Sequence, residues 1–209
     1  MARPSNTAER RREIMNGLAA VMADKGYDGA SIADVAAAAG LTPGLVHYHF
    51  RSKLEILVAV VTELGRAHLE TLESALASSR KDAWRELEAF IDVHLATGKS
   101  ADAKQLACWI TIGAEAIREP KVRAPYREIL ERLASMIERI VRDGVKSGAF
   151  TTPEPRACAV AILAAIQGYF GIAGSARTLI PAHSAAPAVK AMARGLLQPS
   201  SVPARRAKK

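Results

Sequence analysis

The sequence predicts an all-α fold with a small N-terminal part and a larger helical part. Alanine-rich segments repeat apolar residues at the 3.6-residue helical period along most of the chain. Period-2 alternation is absent, and the 209 residues include only four Phe and four Tyr, which strands favour. With 49% hydrophobic and 24% charged residues, the composition is that of a soluble globular protein of one or two domains.

Three short helices are predicted at the N-terminus from capping residues and from one glycine. Gly26 follows the apolar stripe of the first helix and stands where the end of a helix favours a residue in the left-handed conformation. Ser31 can cap the second helix through the amide of Asp34. Thr42 caps the third, with a proline at the first helical position where the missing N–H costs nothing. The three helices are expected over 7–25, 31–40 and 42–50.

Longer helices are predicted for the rest of the chain. The apolar stretch 157–176 is interrupted by Gln167, three glycines and Ser175, and this indicates a buried helix more than a membrane span. The Pro-, Ser- and basic-rich segment 199–209 is expected to be disordered. The longer helices are expected from Lys53 through at least Leu72, over 82–96, 100–118 and 122–147, from 153 or 154 to 177, and over 185–197.

The segment 31–50 has the pattern of a helix-turn-helix. Gly40 suits the tight turn between its two helices, and Val46 and Phe50, spaced i,i+4, anchor the second helix to a core. The opposite face of that helix points outward and fits the width of a DNA major groove. The net charge of +8 agrees with a polyanionic partner, although half of it lies on the segment 199–209.

The run Gly-Leu-Thr-Pro-Gly-Leu-Val-His-Tyr-His-Phe-Arg-Ser-Lys at residues 40–53 closely resembles the signature of the TetR family. The resemblance is sharp over about residues 10–57 and architectural beyond them. It implies a DNA-binding domain over 1–52, an effector-binding and dimerisation domain over 53–198, and a basic tail. One departure is His47, which stands where the family usually has Tyr, a residue that commonly contacts the DNA backbone.

Carried over position by position, the resemblance implies which residues meet DNA. Pro43, Gly44 and Leu45 face base edges, whereas the other residues cap helices or meet phosphates and flanking bases. Because few of them can form bidentate base contacts, specificity is expected to depend on thymine methyl groups and DNA shape. The predicted DNA-binding residues are Ser31, Thr42, Pro43, Gly44, Leu45, His47, Tyr48, His49 and Lys53.

The resemblance further implies a homodimeric repressor that leaves a palindromic operator when a small molecule binds. Residues 109–123 loosely resemble BetI-type members, for which choline is the known theme. Trp109 and Tyr126 can cage a quaternary ammonium group, and an apolar or aromatic effector fits the same residues. Residues of these types on apolar helix faces are more often ordinary core positions than ligand contacts, so a core role stays the alternative for each candidate. The candidate effector residues are His68, His94, Cys108, Trp109, Tyr126, Gln167 and Phe170.

The last two predicted helices are more apolar than the surface of a monomer, which predicts an interface with a second chain. The candidate dimer residues are Ile162, Ala165, Ile166, Tyr169, Val189, Met192 and Leu196.

Other classes of function find little support. Cys108 and Cys158 lie far apart without a CxxC pair, and His47 and His49 are spaced i,i+2, so neither a metal site nor a cofactor is expected. No nucleophile, P-loop or zinc-protease motif occurs, so catalysis is not expected. The sequence begins without a secretory signal, and a cytoplasmic protein with no membrane partner is expected. A constitutive DNA-organising protein and a helical module that binds another protein remain as alternatives.

Overall fold

The computed structural model describes residues 6–79, 82–95 and 103–197, and within these ranges the chain forms α-helices and no strands. The all-α prediction is confirmed. The described helices are α1 (Asn6–Gly29), α2 (Ile32–Ala38), α3 (Pro43–His49), α4 (Lys53–Leu76), α5 (Ala83–Leu95), α6 (Ala103–Arg118), α7 (Pro120–Lys146), α8 (Pro155–Ser175) and α9 (Ala185–Leu197).

Helix boundaries agree with the predictions to within a few residues, and the differences have local causes. Helix α7 begins at Pro120, earlier than expected, because a proline is tolerated in the first turn of a helix. Helix α8 ends at Ser175, and a 3-10 turn (Arg177–Leu179) follows it. The predicted start of α6 and the tail 199–209 lie outside the described residues.

The chain forms two compact units. The first comprises the described residues of Met1–Thr71, Lys99–Glu131 and Phe170–Arg177, and the second those of Leu72–Gly98, Arg132–Tyr169 and Thr178–Lys209. Helices α4, α7 and α8 contribute residues to both units. Compactness therefore groups the N-terminal helices with all of α6 and with parts of α4, α7 and α8. The predicted functional boundary between residues 52 and 53 stays a prediction.

The first unit is built around α1, which packs against α2, α3 and α6. Ile14 and Leu18 on α1 and Val46 on α3 are fully buried, and Val35 on α2 is buried with them. The burial of Val46 agrees with its predicted role as an anchor of the third helix. Their burial leaves the opposite side of α3 at the protein surface.

The second unit contains the contact between α5 and α9. Lys190 donates to Asp92 at 2.7 Å, and Arg194 donates to Glu88 at 2.5 Å. In the same unit the buried carboxylate of Glu86 accepts from Arg139 at 2.6 Å. Removing Arg139 alone would leave a buried charge without a partner, which is far more costly than losing an exposed ion pair.

We predict that Gly144→Ala destabilises the second unit. A Cβ atom at Gly144 would lie 2.1 Å from Cδ2 of Phe150, a buried ring that also packs against Trp84 with 4.6 Å between ring centroids. Overpacking of this kind costs about 1–3 kcal/mol. Thermal unfolding measures the loss.

Gly44→Ala is the matched control, because a Cβ there meets nothing within 4 Å and the residue is exposed in α3. Alanine in a helix is more favourable than glycine by about 0.5–1 kcal/mol, so this variant keeps or gains stability. Equal melting temperatures for the Gly144 variant and the wild type would contradict the close packing against Phe150.

Candidate DNA-binding surface and effector cluster

The helix-turn-helix begins at a capping box. The hydroxyl of Ser31 accepts a hydrogen bond from the amide of Asp34 at 3.0 Å, while the Asp34 carboxylate accepts from the amide of Ser31 at 3.0 Å. Lys25 donates to the same carboxylate at 2.7 Å. These interactions, with Lys25 the largest contributor, hold the pKa of Asp34 well below its usual range. The start of α2 is therefore fixed against the last turns of α1.

The recognition helix α3 begins as predicted. Thr42 is its N-cap and accepts from the amide of Leu45 at 3.3 Å, and Pro43 occupies the first helical position. The Thr42 hydroxyl is exposed and, among the described contacts, its hydrogen is unused. The Ser31 hydroxyl differs, because it donates to Asp34 at 2.6 Å. Thr42 is thus better prepared than Ser31 to donate to a phosphate.

Most of the predicted DNA-binding side chains lie at the surface of the first unit. Tyr48 is 80% exposed, so its ring and hydroxyl group face the solvent. Its ring meets His49 edge-on, with 5.0 Å between centroids. Leu45 and His49 are half-buried, whereas Ser31, Thr42, Pro43, Gly44, His47 and Tyr48 are exposed.

Lys53 differs from the other predicted DNA-binding residues, because its ammonium group is held by contacts within the chain. Its ammonium group donates to the carbonyl oxygens of Tyr27 and Ala30, each at 2.7 Å, and lies 3.5 Å from that of Asp28. It also lies 4.3 Å from the centroid of the Tyr27 ring. An ammonium has three donors, and these carbonyls can use all of them. The phosphate contact predicted for Lys53 is therefore not supported by the geometry; instead Lys53 joins the start of α4 to the end of α1.

Three of the candidate effector residues come together in the first unit. The His68 ring on α4 lies 6.4 Å from the Trp109 ring on α6, measured between centroids. Tyr126 on α7 faces the same side of α6, because its hydroxyl would lie 3.2 Å from a Cβ atom placed on Gly113, one turn beyond Trp109. We call His68, Trp109 and Tyr126 the ring cluster.

The ring cluster is uncharged at neutral pH. Burial lowers the pKa of His68, so its imidazole is neutral, and burial raises the pKa of Tyr126, so its phenol stays protonated. All three rings are half-buried. The cluster thus presents neutral aromatic faces, which attract cations and apolar groups alike.

The remaining effector candidates are placed differently. His94 belongs to the second unit, is 4% exposed, stacks on Phe90 and makes a 2.7 Å hydrogen bond through Nδ1 with the Phe90 carbonyl. It therefore has the surroundings of a satisfied core histidine. Gln167, in the second unit, and Phe170, in the first, are half-buried on α8. Cys108 is buried next to Trp109 in the sequence.

Sequence reasoning missed an ionic contact between α6 and the end of α1. Arg118 donates to Glu115 on its own helix at 2.6 Å and lies 3.5 Å from the Asp28 carboxylate. Glu115 is only 8% exposed, so this carboxylate depends on its partner. The sequence feature that points to this contact is Glu115, a charged residue on an otherwise apolar face of α6.

The predicted dimer residues divide into two groups. Met192 and Leu196 on α9 are 53% and 43% exposed, and Ala165 and Tyr169 are half-buried. Ile162, Ile166 and Val189 are buried within the chain, so assigning these three to an interface was wrong: they face the core. The outward side of α8 in the second unit instead carries Val160, Ala161, Ala164 and Gly168.

These features define a helical DNA-binding regulator, and two family models match the chain. The model of bacterial regulatory proteins of the tetR family matches residues 14–60. The model of the C-terminal domain of BetI-type transcriptional repressors matches residues 83–208, more than half of the chain. The chain therefore belongs to the TetR family of bacterial transcriptional regulators and has a BetI-type C-terminal domain.

Curated relatives include regulators of two kinds. The transcriptional regulator CymR of Pseudomonas putida is 31% identical over 145 residues, which are 63% of this chain and 64% of that protein. The regulator BetI of Brucella anthropi is 26% identical over 126 residues, 60% of this chain and 64% of that protein. The match thus spans 64% of the length of either relative.

Solved structures share the fold. A transcriptional regulator from Saccharomonospora viridis in complex with choline superposes with a TM-score of 0.83 at 22% identity, covering 91% of this chain and 98% of that chain. A regulator from Pseudomonas aeruginosa PAO1 gives a TM-score of 0.80 at 16% identity, covering 92% of each chain.

We predict that Cys108 reacts slowly with thiol reagents in the native protein. Burial raises the pKa of its thiol to about 11, so only about one molecule in a thousand carries the reactive thiolate at pH 8. In a Cys158→Ala variant, which leaves Cys108 as the single thiol, labelling by Ellman's reagent should speed up about tenfold per pH unit below that pKa. Labelling in denaturant is the control, and fast labelling of the native variant at pH 7 would instead favour a redox-sensing thiol.

Proposed function

We propose that the protein is a homodimeric repressor that binds a palindromic operator and leaves it when a small organic cation binds the ring cluster. The observation that carries this proposal is that one compact unit contains both the helix-turn-helix and the ring cluster. Helix α6 connects them, because it carries Trp109 and also packs against α1. The proposed protein is cytoplasmic and has no catalytic role.

The surface of α3 supports recognition through shape and apolar contacts. Its outward residues include no Arg, Asn or Gln, the side chains that make bidentate contacts to guanine and adenine. Leu45 and Pro43 suit the methyl group of thymine, while Thr42 and Tyr48 offer hydroxyl groups to phosphates. The α3 surface of one chain distinguishes DNA sequences only modestly. Tight selective binding therefore needs a second half-site that is bound by a second chain.

The outward faces of α8 and α9 support a homodimer. Helix α8 is long and apolar enough to cross a membrane, yet only 28% of its most apolar stretch is buried within the chain. Its outward residues in the second unit are small or apolar, as are Met192 and Leu196 on α9. A second copy of the chain covers such a face without requiring a membrane.

We predict that Met192→Glu converts the dimer to a monomer and weakens binding to the duplex that the wild type selects from a random-sequence pool. A carboxylate on this face would have to be buried without a partner, and this opposes association. The selected duplex should be palindromic with half-sites about 34 Å apart, one helical turn. Sedimentation and a binding titration at fixed salt measure both effects.

Leu179→Glu is the matched control, because Leu179 is 73% exposed outside α8 and α9 and should tolerate the charge. A Met192 variant that remains dimeric would remove this face from the interface. Equal binding of the wild type to selected and scrambled duplexes, falling steeply with salt, would favour the DNA-organising alternative. No DNA binding at all would favour the protein-interaction module.

Three observations support an organic cation as the effector. The ring cluster is neutral and aromatic, which suits a quaternary ammonium group. The family model of the C-terminal domain is BetI-type, and BetI regulators are among the curated relatives. The Saccharomonospora viridis structure with the same fold holds choline. An apolar effector is the second candidate, because the same rings also favour apolar groups.

The contacts of α6 indicate how binding at the ring cluster reaches DNA. Trp109 and Arg118 are nine residues apart on one helix, about 14 Å along its axis. Arg118 lies against Asp28, and the neighbouring carbonyls of Tyr27 and Ala30 hold Lys53. A shift of α6 that favours the bound cation thus acts on the end of α1 and on the start of α4.

We predict that choline quenches the fluorescence of Trp109 and weakens operator binding about tenfold, within the usual range of allosteric coupling. Trp84→Phe leaves Trp109 as the single tryptophan and should keep the full response, because Trp84 packs against Phe150 in the second unit. Trp109→Leu should abolish both effects. Calorimetry and DNA titration with and without choline measure them, and a neutral isostere, 3,3-dimethyl-1-butanol, tests the role of charge.

In the same assay, Arg118→Gln separates the binding of choline from the effect of that binding on DNA release. This variant should bind choline as the wild type does, since Arg118 lies outside the ring cluster, but release DNA less. Release by the neutral isostere alone would favour an apolar effector. If neither compound binds, the assignment of the ring cluster fails while operator binding stands.

A further inference from the structure

The structure gives three consecutive arginines of α1 different surroundings. In the sequence, Arg10, Arg11 and Arg12 form one basic run, and attraction of phosphates is an obvious use for it. Arg10 pairs with Glu13 on its own helix at 2.7 Å, and Arg12 is exposed. Arg11 is half-buried and reaches across to α3, 38 residues further along the chain.

Two contacts hold the guanidinium of Arg11. Its Nη1 donates to the carbonyl oxygen of His49 at 2.5 Å, and its central carbon lies 3.9 Å from the centroid of the Phe50 ring. Phe50 is 2% exposed and is the C-cap of α3. The planar guanidinium is thus stacked on a buried ring while it donates to the end of a helix, a combination that lysine cannot reproduce.

The carboxyl end of α3 needs such a partner. The last carbonyl groups of a helix accept no hydrogen bond from within the helix. A cation there supplies a donor and also interacts favourably with the negative end of the helix dipole. Helix α3 has only seven residues, and helices this short depend on their ends and on packing for stability. Thr42 caps one end, Val46 anchors the middle, and Arg11 holds the other end.

We propose that Arg11 is a positioning residue for DNA recognition: it fixes the last turn of α3, where His47 and Tyr48 are presented, and it does not act as a phosphate ligand. Its Nη1 donor and its ring contact are directed inward to the end of α3. The proposal rests on the operator binding proposed above, but the fixing of the last turn of α3 can be tested in the protein without DNA. The proposal assigns the charge of Arg11 to the end of α3, although the basic run suggests that this charge is available to phosphates.

The experiment compares Arg11→Lys, Arg11→Met and, as matched control, Arg12→Met. In the DNA-free proteins, hydrogen exchange at the amides of residues 46–50 should speed up about tenfold or more in Arg11→Met, because a charge-assisted hydrogen bond is lost. It should also speed up in Arg11→Lys, because an ammonium group cannot donate to His49 and at the same time lie flat against Phe50. The control should exchange at the wild-type rate. Wild-type exchange in the Arg11→Met protein overturns the proposal, whether or not an operator is found.

Binding is then measured across a salt series, with the duplex that the wild type selects and with a scrambled duplex. A positioning role predicts that both Arg11 variants lose about tenfold or more on the selected duplex, keep their affinity for the scrambled one and keep the wild-type salt slope. A phosphate ligand predicts instead that Arg11→Met lowers the salt slope by about one while Arg11→Lys stays close to the wild type. That second pattern overturns the proposal. If the wild type selects no duplex, operator binding fails, and the exchange measurement alone decides the role of Arg11.

Discussion

The packing of α4 and α6 in the first unit depends on the short segment that follows Gly26. Gly26 has a positive φ of 71°, which ends the main body of α1, and carbonyl groups of the residues that follow it accept from a side chain of α4. Lys53 binds two of these carbonyls closely, and Arg118 approaches Asp28 from α6. The beginning of α4 and the end of α6 therefore meet one turn of α1, and the orientation of the helix-turn-helix follows from that turn.

Electrostatics in this part of the molecule is mostly internal. Two cations that the sequence suggests for DNA, Lys53 from the family resemblance and Arg11 from the basic run on α1, are bound to carbonyl oxygens, and Lys25 is bound to Asp34. What faces outward from α3 is aromatic, small or hydroxylic. A high net positive charge thus says little about which groups meet the phosphates, because Lys53 and Arg11 bind carbonyl oxygens at helix ends within the chain.

The sequence was sufficient for the fold class, the caps at Ser31 and Thr42 and most helix bounds, since these depend on local patterns. It was less informative about α8, where Ile162 and Ile166 were predicted for the interface although they face the core. Hydrophobicity alone does not show which side of an all-apolar helix is outward. The contacts of Lys53 and Arg118 were not predictable either, because they join residues that are far apart in the sequence.

The brevity of α3 has a consequence for how the protein works in a cell. A two-turn helix contacts few base pairs, so in the homodimer proposed above one subunit alone would discriminate weakly, and selectivity would require both subunits on one DNA molecule. Once the first subunit is bound, the second acts at a high effective concentration set by the dimer geometry. Occupancy then rises with about the square of the subunit concentration wherever dimers are scarce, and the regulator becomes sensitive to its own abundance.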